Sequence, residues 1–274
     1  MSTVVVLVLL ALPVLAGLYL WWSGQRRARH RQALIETGLR PAQRRAILEQ
    51  VPLVKRLPEE LMPALEGRVA LFLEQVEFVA CEGIELDEEM RLSIAAQASL
   101  IPLGGALWYD ELSTVLVYPG AFRSRMVSHD GYVVSEAEVV RLGESWSRGQ
   151  VVLSWADVES GAANPDDGRN VVLHEFAHQF DDLTGATNGV PVLAEGQDFE
   201  TWERVFLRAY TRLRRRAETG RGSVLDTYGA QSHAEFFAVA IEAFFEKPKA
   251  LHEDEPELYG QLTELLKLDP ARWG

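Results

Sequence analysis

The sequence predicts an α+β fold dominated by helices, with a small sheet and one transmembrane helix in front. Three observations carry this reading. Long runs with apolar residues at helical spacing occupy most of the chain. Short β-like runs are confined to residues 114–155, and Thr3 to Trp22 contains no charge.

Thr3–Trp22 is about as long as a helix must be to cross a bilayer. Arg26, Arg27, Arg29 and Arg31 follow it, and no Lys or Arg precedes it. The positive-inside rule therefore keeps the Arg side in the cytoplasm, and Trp21 and Trp22 stand where an interfacial aromatic belt belongs. A cleaved signal peptide is the alternative, with Val14-Leu15-Ala16 as the cleavage site. It lacks a charged n-region, and the apolar run continues past that site. The expected organisation is an anchor at 1–24, a basic juxtamembrane linker at 25–32 and one domain at 33–274. The expected place is the inner (cytoplasmic) membrane, single-pass, with the domain facing the cytoplasm.

Within the domain, 33–50, 58–81 and Glu89–Leu100 read as helices, the second with Leu61, Leu65, Val69, Phe72, Leu73 and Val76 on one side. The period then shortens. Thr114–Tyr118, Tyr132–Val134, Val139–Leu142 and Gln150–Trp155 are β-like runs between Gly-rich turns. Asn170–Leu183, Asp198–Ala217, Glu235–Glu246 and Glu257–Leu268 return to helical spacing.

The formal net charge is −13. Setting aside the four Arg before residue 33 leaves 23 basic against 40 acidic groups, a net of −17. Such a body repels nucleic acid, so no nucleic-acid partner is expected. Arg204, Arg208, Arg212 and Arg215 accordingly read as a solvated helix face. The single cysteine, Cys81, excludes an intramolecular disulfide and suits a reducing compartment.

The most informative run is His174-Glu175-Phe176-Ala177-His178. Two imidazoles four residues apart share one helix face and can hold one zinc ion. Glu175, on the same turn, is placed to take a proton from an activated water. The turn-forming stretch Asn164-Pro165-Asp166-Asp167-Gly168 precedes this helix. Val171, Val172, Leu173, Phe176, Ala177 and Phe180 give it enough apolar surface for burial, and buried imidazoles and acids require compensation.

A catalytic zinc takes three protein ligands and leaves a position for water. Asp181 and Asp182 lie on the same rigid helix as the histidines, which suits them to orienting a ring from behind. Glu235 and Glu242, two turns apart on the Phe-rich helix after Tyr228, point the same way. Either could be the third ligand, or one could pair with an arginine. His233, near a helix start, reads as a capping or surface group.

These residues, with Gly149–Trp155, Leu116-Val117-Tyr118-Pro119, Gly143–Trp146, the Asp-Gly-x-Asn-x-x-x-His-Glu-x-Ala-His-x-x-Asp core and Ala234-Glu235-x-Phe-Ala-Val, make the chain after residue 33 similar to the Mlc titration factor A family of zinc peptidases. The resemblance implies a zincin-like metallopeptidase domain. It implies Glu235 as the third ligand, seven residues after a tyrosine, as in the catalytic domain of anthrax lethal factor. Tyr228 would then donate its hydroxyl to the developing oxyanion, while Glu242 and Asp181 would stand behind the ligands. In peptidases of this build an edge strand binds the substrate backbone, and Val151, Val152, Leu153, Ser154 and Trp155 are the candidates. The N-terminal span departs from the family's soluble members.

Two function classes follow. One is a peptidase acting on peptides or proteins, with aminopeptidase character as an option that the resemblance implies. The other is a membrane-tethered binding protein that captures a transcriptional regulator, as the family's name suggests. The intact set His174, Glu175, His178, Glu235 and Tyr228 favours the enzyme.

Overall fold

A computed structural model of the chain describes residues 3–120, 122–130, 133–141, 143–146 and 149–273; the side chains of residues 1–11, 13–16, 20, 27, 121–148 and 274 lie outside that description. The chain begins with one unbroken helix, α1 (Thr3–Thr37). The expected linker at 25–32 is thus helical and continuous with what precedes it. Gly38, with φ +62°, ends the helix. Among the described residues no helix is long and apolar enough to cross a membrane. Most side chains of the expected Thr3–Trp22 anchor fall outside the described set, so the structure gives the anchor no support.

The segment expected as one helix over 33–50 is split between the end of α1 and α2 (Pro41–Gln50). The second expected helix is shorter than its apolar period. α3 (Met62–Gln75) stops at Val76, and Glu77–Ala80 is a strand, β1. Pairing with β2 (Thr114–Tyr118) decides this: Phe78 stands opposite Val115 and Ala80 opposite Val117. Such non-local pairing overrides a period read along the chain. α3 also receives the C-terminal part of α1. A Cβ at Gly67 would come within 2.5 Å of the Ile35 carbonyl oxygen, so only glycine permits that crossing. Arg31 to Asp110 at 2.7 Å and His30 to Glu74 at 3.3 Å flank it.

α4 (Glu88–Leu100), capped by Asp87 through the Met90 N–H, crosses from β1 to β2. Beyond β2 lie β3 (Phe122–Asp130) and β4 (Val133–Arg141), which form an antiparallel pair of their own. The two short runs expected at 132–134 and 139–142 are therefore one strand, with residues 132 and 142 outside the described set. β5 (Gly143–Trp146) and β6 (Gln150–Ser154) return to the main sheet, whose order is β1-β2-β6-β5. β1, β2 and β6 are parallel, and β5 runs antiparallel at the end.

This topology corrects the expectation for Val151–Trp155. β6 is not an edge strand, because β2 lies on one side and β5 on the other, with Val151 opposite both Val115 and Ser145. Val151, Val152, Leu153 and Ser154 are buried, as a strand covered on both faces requires. Trp155 already belongs to the next helix, α5 (Trp155–Ala163), which follows β6 in the chain and precedes the histidine helix.

The histidine helix is α6 (Val171–Asp181), continued by a 3-10 turn, Asp182–Thr184, and ended by Gly185 in the left-handed region. α7 (Phe199–Thr219) is capped by Asp198. α8 (His233–Glu246) packs on α6 and is buried nearly all round, with Phe236, Phe237, Phe244 and Phe245 in the core. α9 (Pro248–Asp254), which the sequence pattern did not suggest, precedes α10 (Pro256–Leu266). Arg204, Arg208, Arg212 and Arg215 of α7 are all exposed, as expected for a solvated face, but this side of the helix also carries ion pairs to the elements after α8. Arg212 pairs with the buried Glu255, and Arg208 reaches Glu257 at 3.8 Å. Arg216 binds Asp254 at 2.5 Å. These acids pin α9 and α10 to α7.

Candidate metal centre

α6 and α8 supply the site, and local capping fixes both. The side chain of Asn170 accepts the Leu173 N–H at 3.0 Å and starts α6. Ser232 accepts the Glu235 N–H at 3.2 Å and starts α8. Each cap satisfies a helix N–H that would otherwise lack a partner. Four residues along α6 bring His174 and His178 side by side, ring centroids 4.9 Å apart.

Nε2 of His174 lies 2.9 Å from Oε2 of Glu235, and Nε2 of His178 lies 3.5 Å from the same oxygen. One ligand atom from each residue falls within 4.8 Å of the other two. Zinc bonds of about 2.0–2.1 Å at tetrahedral angles set donor atoms about 3.3 Å apart. Two imidazole nitrogens and a carboxylate oxygen at this spacing fit a divalent metal of the zinc type. Burial works against ionising Glu235, yet hydrogen bonds from His174 and His178 outweigh it and bring its carboxyl down to about 2. Burial likewise opposes a charge on His174, but Glu235 and Glu242 overcome it and hold its pKa well above the usual imidazole value. Metal binding requires the ligating nitrogen to be deprotonated. Glu242 can keep the proton on the other nitrogen, since its Oε1 is 2.5 Å from Nδ1 of His174.

Glu175 is buried on α6. Tyr228 sits on the 3-10 turn Thr227–Ala230, half exposed, its ring 5.8 Å from that of His174. Asp226 caps this turn through the Tyr228 N–H at 2.9 Å and takes Arg169 on its other oxygen at 3.0 Å.

Asp181 is fully buried, and its Oδ2 accepts the Gly189 N–H at 2.6 Å. Gly189 has φ +80°, and a Cβ there would come within 2.6 Å of the His233 carbonyl oxygen. Nδ1 of His178 and Oδ1 of Asp181 are both buried without a hydrogen-bond partner. The expected bond from Asp181 to a histidine ring is therefore not made, although His178 still acts on Asp181 electrostatically. Burial pushes Asp181 up to about 6, against the pull of the Gly189 N–H and of His178. Asp182 faces Thr187, and the His233 ring packs edge-on against Tyr210, centroids 4.5 Å apart. Neither belongs to the metal-capable group.

What lies behind the metal-capable group was not anticipated from the sequence. Glu246, one turn beyond Glu242, is buried and accepts from Nδ2 of Asn170 and from the Arg169 N–H, each at 3.0 Å. Asn170 also donates to the buried Gln97 at 2.8 Å. The signal was present as a third carboxylate on the stripe of Glu235 and Glu242.

Comparison with known proteins identifies relatives of this chain. The family model described as Glucose-regulated metallo-peptidase M90 matches residues 23–267. A Synechocystis sp. protein, slr2042, is 38% identical over 266 residues, covering 95% of this chain and 97% of that protein. Mlc titration factor A of Yersinia pestis (strain Pestoides F) is 31% identical over 235 residues, covering 81% of this chain and 85% of the relative, and the Yersinia pseudotuberculosis protein of the same name matches equally. The family points to a metal ion and to metallopeptidase chemistry, and its model spans both helices that carry the site. The chain belongs to the glucose-regulated metallo-peptidase M90 family.

Proposed function

We propose that this protein is a zinc-dependent peptidase in which His174, His178 and Glu235 hold one zinc ion. The observation that carries the reading is the convergence of these three ligand atoms within 4.8 Å, with Glu242 on the far nitrogen of His174. Bound there, the ion would acidify a water and polarise a carbonyl. Glu175 takes the proton of the attacking water and returns it to the leaving amine. Tyr228 donates its hydroxyl to the developing oxyanion. Glu242 keeps His174 in the tautomer that presents Nε2, as partners of metal-bound histidines do. The substrate is a peptide or protein, and an extended one would lie along β5. That strand ends the sheet, pairs with β6 alone among the described residues, and packs on α6.

A second reading is favoured by the name Mlc titration factor A of the Yersinia relatives: the fold captures a protein regulator. Both readings can hold in one molecule, because capture needs a surface and hydrolysis needs the metal centre. We further propose, on the sequence of Thr3–Trp22 and the arginines after it, that α1 begins as an inner-membrane anchor with the catalytic domain in the cytoplasm.

Metal analysis of the purified full chain tests the primary reading. The wild type should hold one zinc per chain and Glu235→Ala none, while Glu242→Ala should still bind, more weakly. Loss of metal in Glu242→Ala with retention in Glu235→Ala would overturn the ligand assignment.

A further inference from the structure

Asn170 has all its polar groups engaged, in a position that is 3% exposed. Its Oδ1 accepts the Leu173 N–H, and its Nδ2 donates to Gln97 at 2.8 Å and to Glu246 at 3.0 Å. Its main-chain N–H donates to Oε2 of Glu242 at 3.1 Å. The other oxygen of Glu242 is the one on His174. Asn170 is thus joined at once to α4, to the first turn of α6 and to two successive turns of α8. The backbone has no slack, because a Cβ on Gly161 of α5 would stand 3.1 Å from Asn170 Cα and 3.1 Å from the Arg169 carbonyl oxygen.

We propose that Asn170 is a positioning residue of the metal centre, fixing Glu242 and through it the His174 ring. This inference rests on the metal-centre reading above. The two Nδ2 bonds pin the start of α6 so that the Asn170 N–H points at Glu242. Glu242 then has one oxygen held by backbone and the other free to orient the imidazole. An asparagine meets this need in a way that the other good helix caps do not. Serine and aspartate supply the acceptor for Leu173, but neither has two N–H donors for Gln97 and Glu246.

The test separates capping from positioning. Metal-free full-length wild type, Asn170→Ser and Gln97→Met are titrated with zinc against a competing chelator, and their melting is followed in parallel. Asn170→Ser, which keeps a cap, should melt cooperatively without metal yet bind zinc about 10- to 100-fold more weakly, the range found when partners of metal ligands are removed. Its cobalt-substituted visible spectrum should shift as the His174 ring loses its fixed orientation. Gln97→Met, which removes one of the two side-chain acceptors, should weaken zinc by a smaller factor. A lowered melting temperature with wild-type zinc affinity in Asn170→Ser would overturn the proposal and leave a structural cap. If Asn170→Ser fails to fold, unchanged zinc affinity in Gln97→Met overturns it instead. Wild-type protein that binds no zinc would remove the metal-centre reading and this inference together.

Discussion

Oε1 of Glu242 lies 2.5 Å from Nδ1 of His174, while the opposite nitrogen of the same ring faces Glu235 at 2.9 Å. One imidazole is held between two carboxylates that leave α8 two turns apart, about 10 Å along its axis. Glu235 shares its oxygen with His178, and Glu242 is anchored by the backbone of Asn170. On this division of labour we propose Glu235 as the ligand and Glu242 as the support of the His174 ring.

Replacing Glu242 should therefore act through affinity. Glu242→Gln is expected to keep one zinc per chain and to weaken its binding about 10- to 100-fold. Competition with a chelator measures this directly, and a wild-type affinity would remove Glu242 from its role.

Tyr228 is half exposed beside His174 and held by the Asp226 turn. Tyr228→Phe should retain the metal and lower kcat by about one to three orders of magnitude, as expected for a lost oxyanion donor. Steady-state kinetics distinguish the alternatives: a change confined to KM would make it a substrate-binding residue.

Burial pushes Glu246 up to about 8, with the Glu242 and Asp167 charges adding to it and the bonds from Asn170 and Arg169 opposing it. An unfolded glutamate titrates near 4.3. The folded state thus binds the extra proton between these values, and stability contributed by the protonated group is lost as pH rises from about 4.3 to about 8. Glu246→Gln removes this slope. Melting temperatures of the metal-free proteins should move in favour of the variant across that window and run parallel above it. Parallel curves throughout would place the carboxylate in its ordinary range.

The local part of the site was legible, because the His174 and His178 spacing and the Glu175 between them depend only on the geometry of one helix. The choice between Glu235 and Glu242 was not, since both share a stripe and only the packing of α8 on α6 assigns each to its own ring nitrogen. The resemblance supplied that choice. β1 escaped notice because Val76 to Cys81 continues the period of α3, and its strand state comes from pairing with β2, 37 residues away at Phe78–Val115. The apolar run of Val151–Leu153 reported burial on both faces and was misread as an edge. Asn170 was readable as a cap, but its bonds to Gln97 and Glu246 span 73 and 76 residues.

The N-terminal reading makes its own demand. A reporter active only in the cytoplasm, fused after Gly274, is expected to work, and protease added to spheroplasts should leave the domain whole. Digestion from outside, or a mature N-terminus near Gly17, would show an export signal instead.

The most direct measurement is peptide hydrolysis by Glu175→Gln beside its zinc content. The amide preserves the shape of the buried side chain but cannot accept the proton. The account requires one zinc per chain, an unchanged fold and turnover reduced to background. Undiminished turnover in a zinc-loaded Glu175→Gln protein would contradict it.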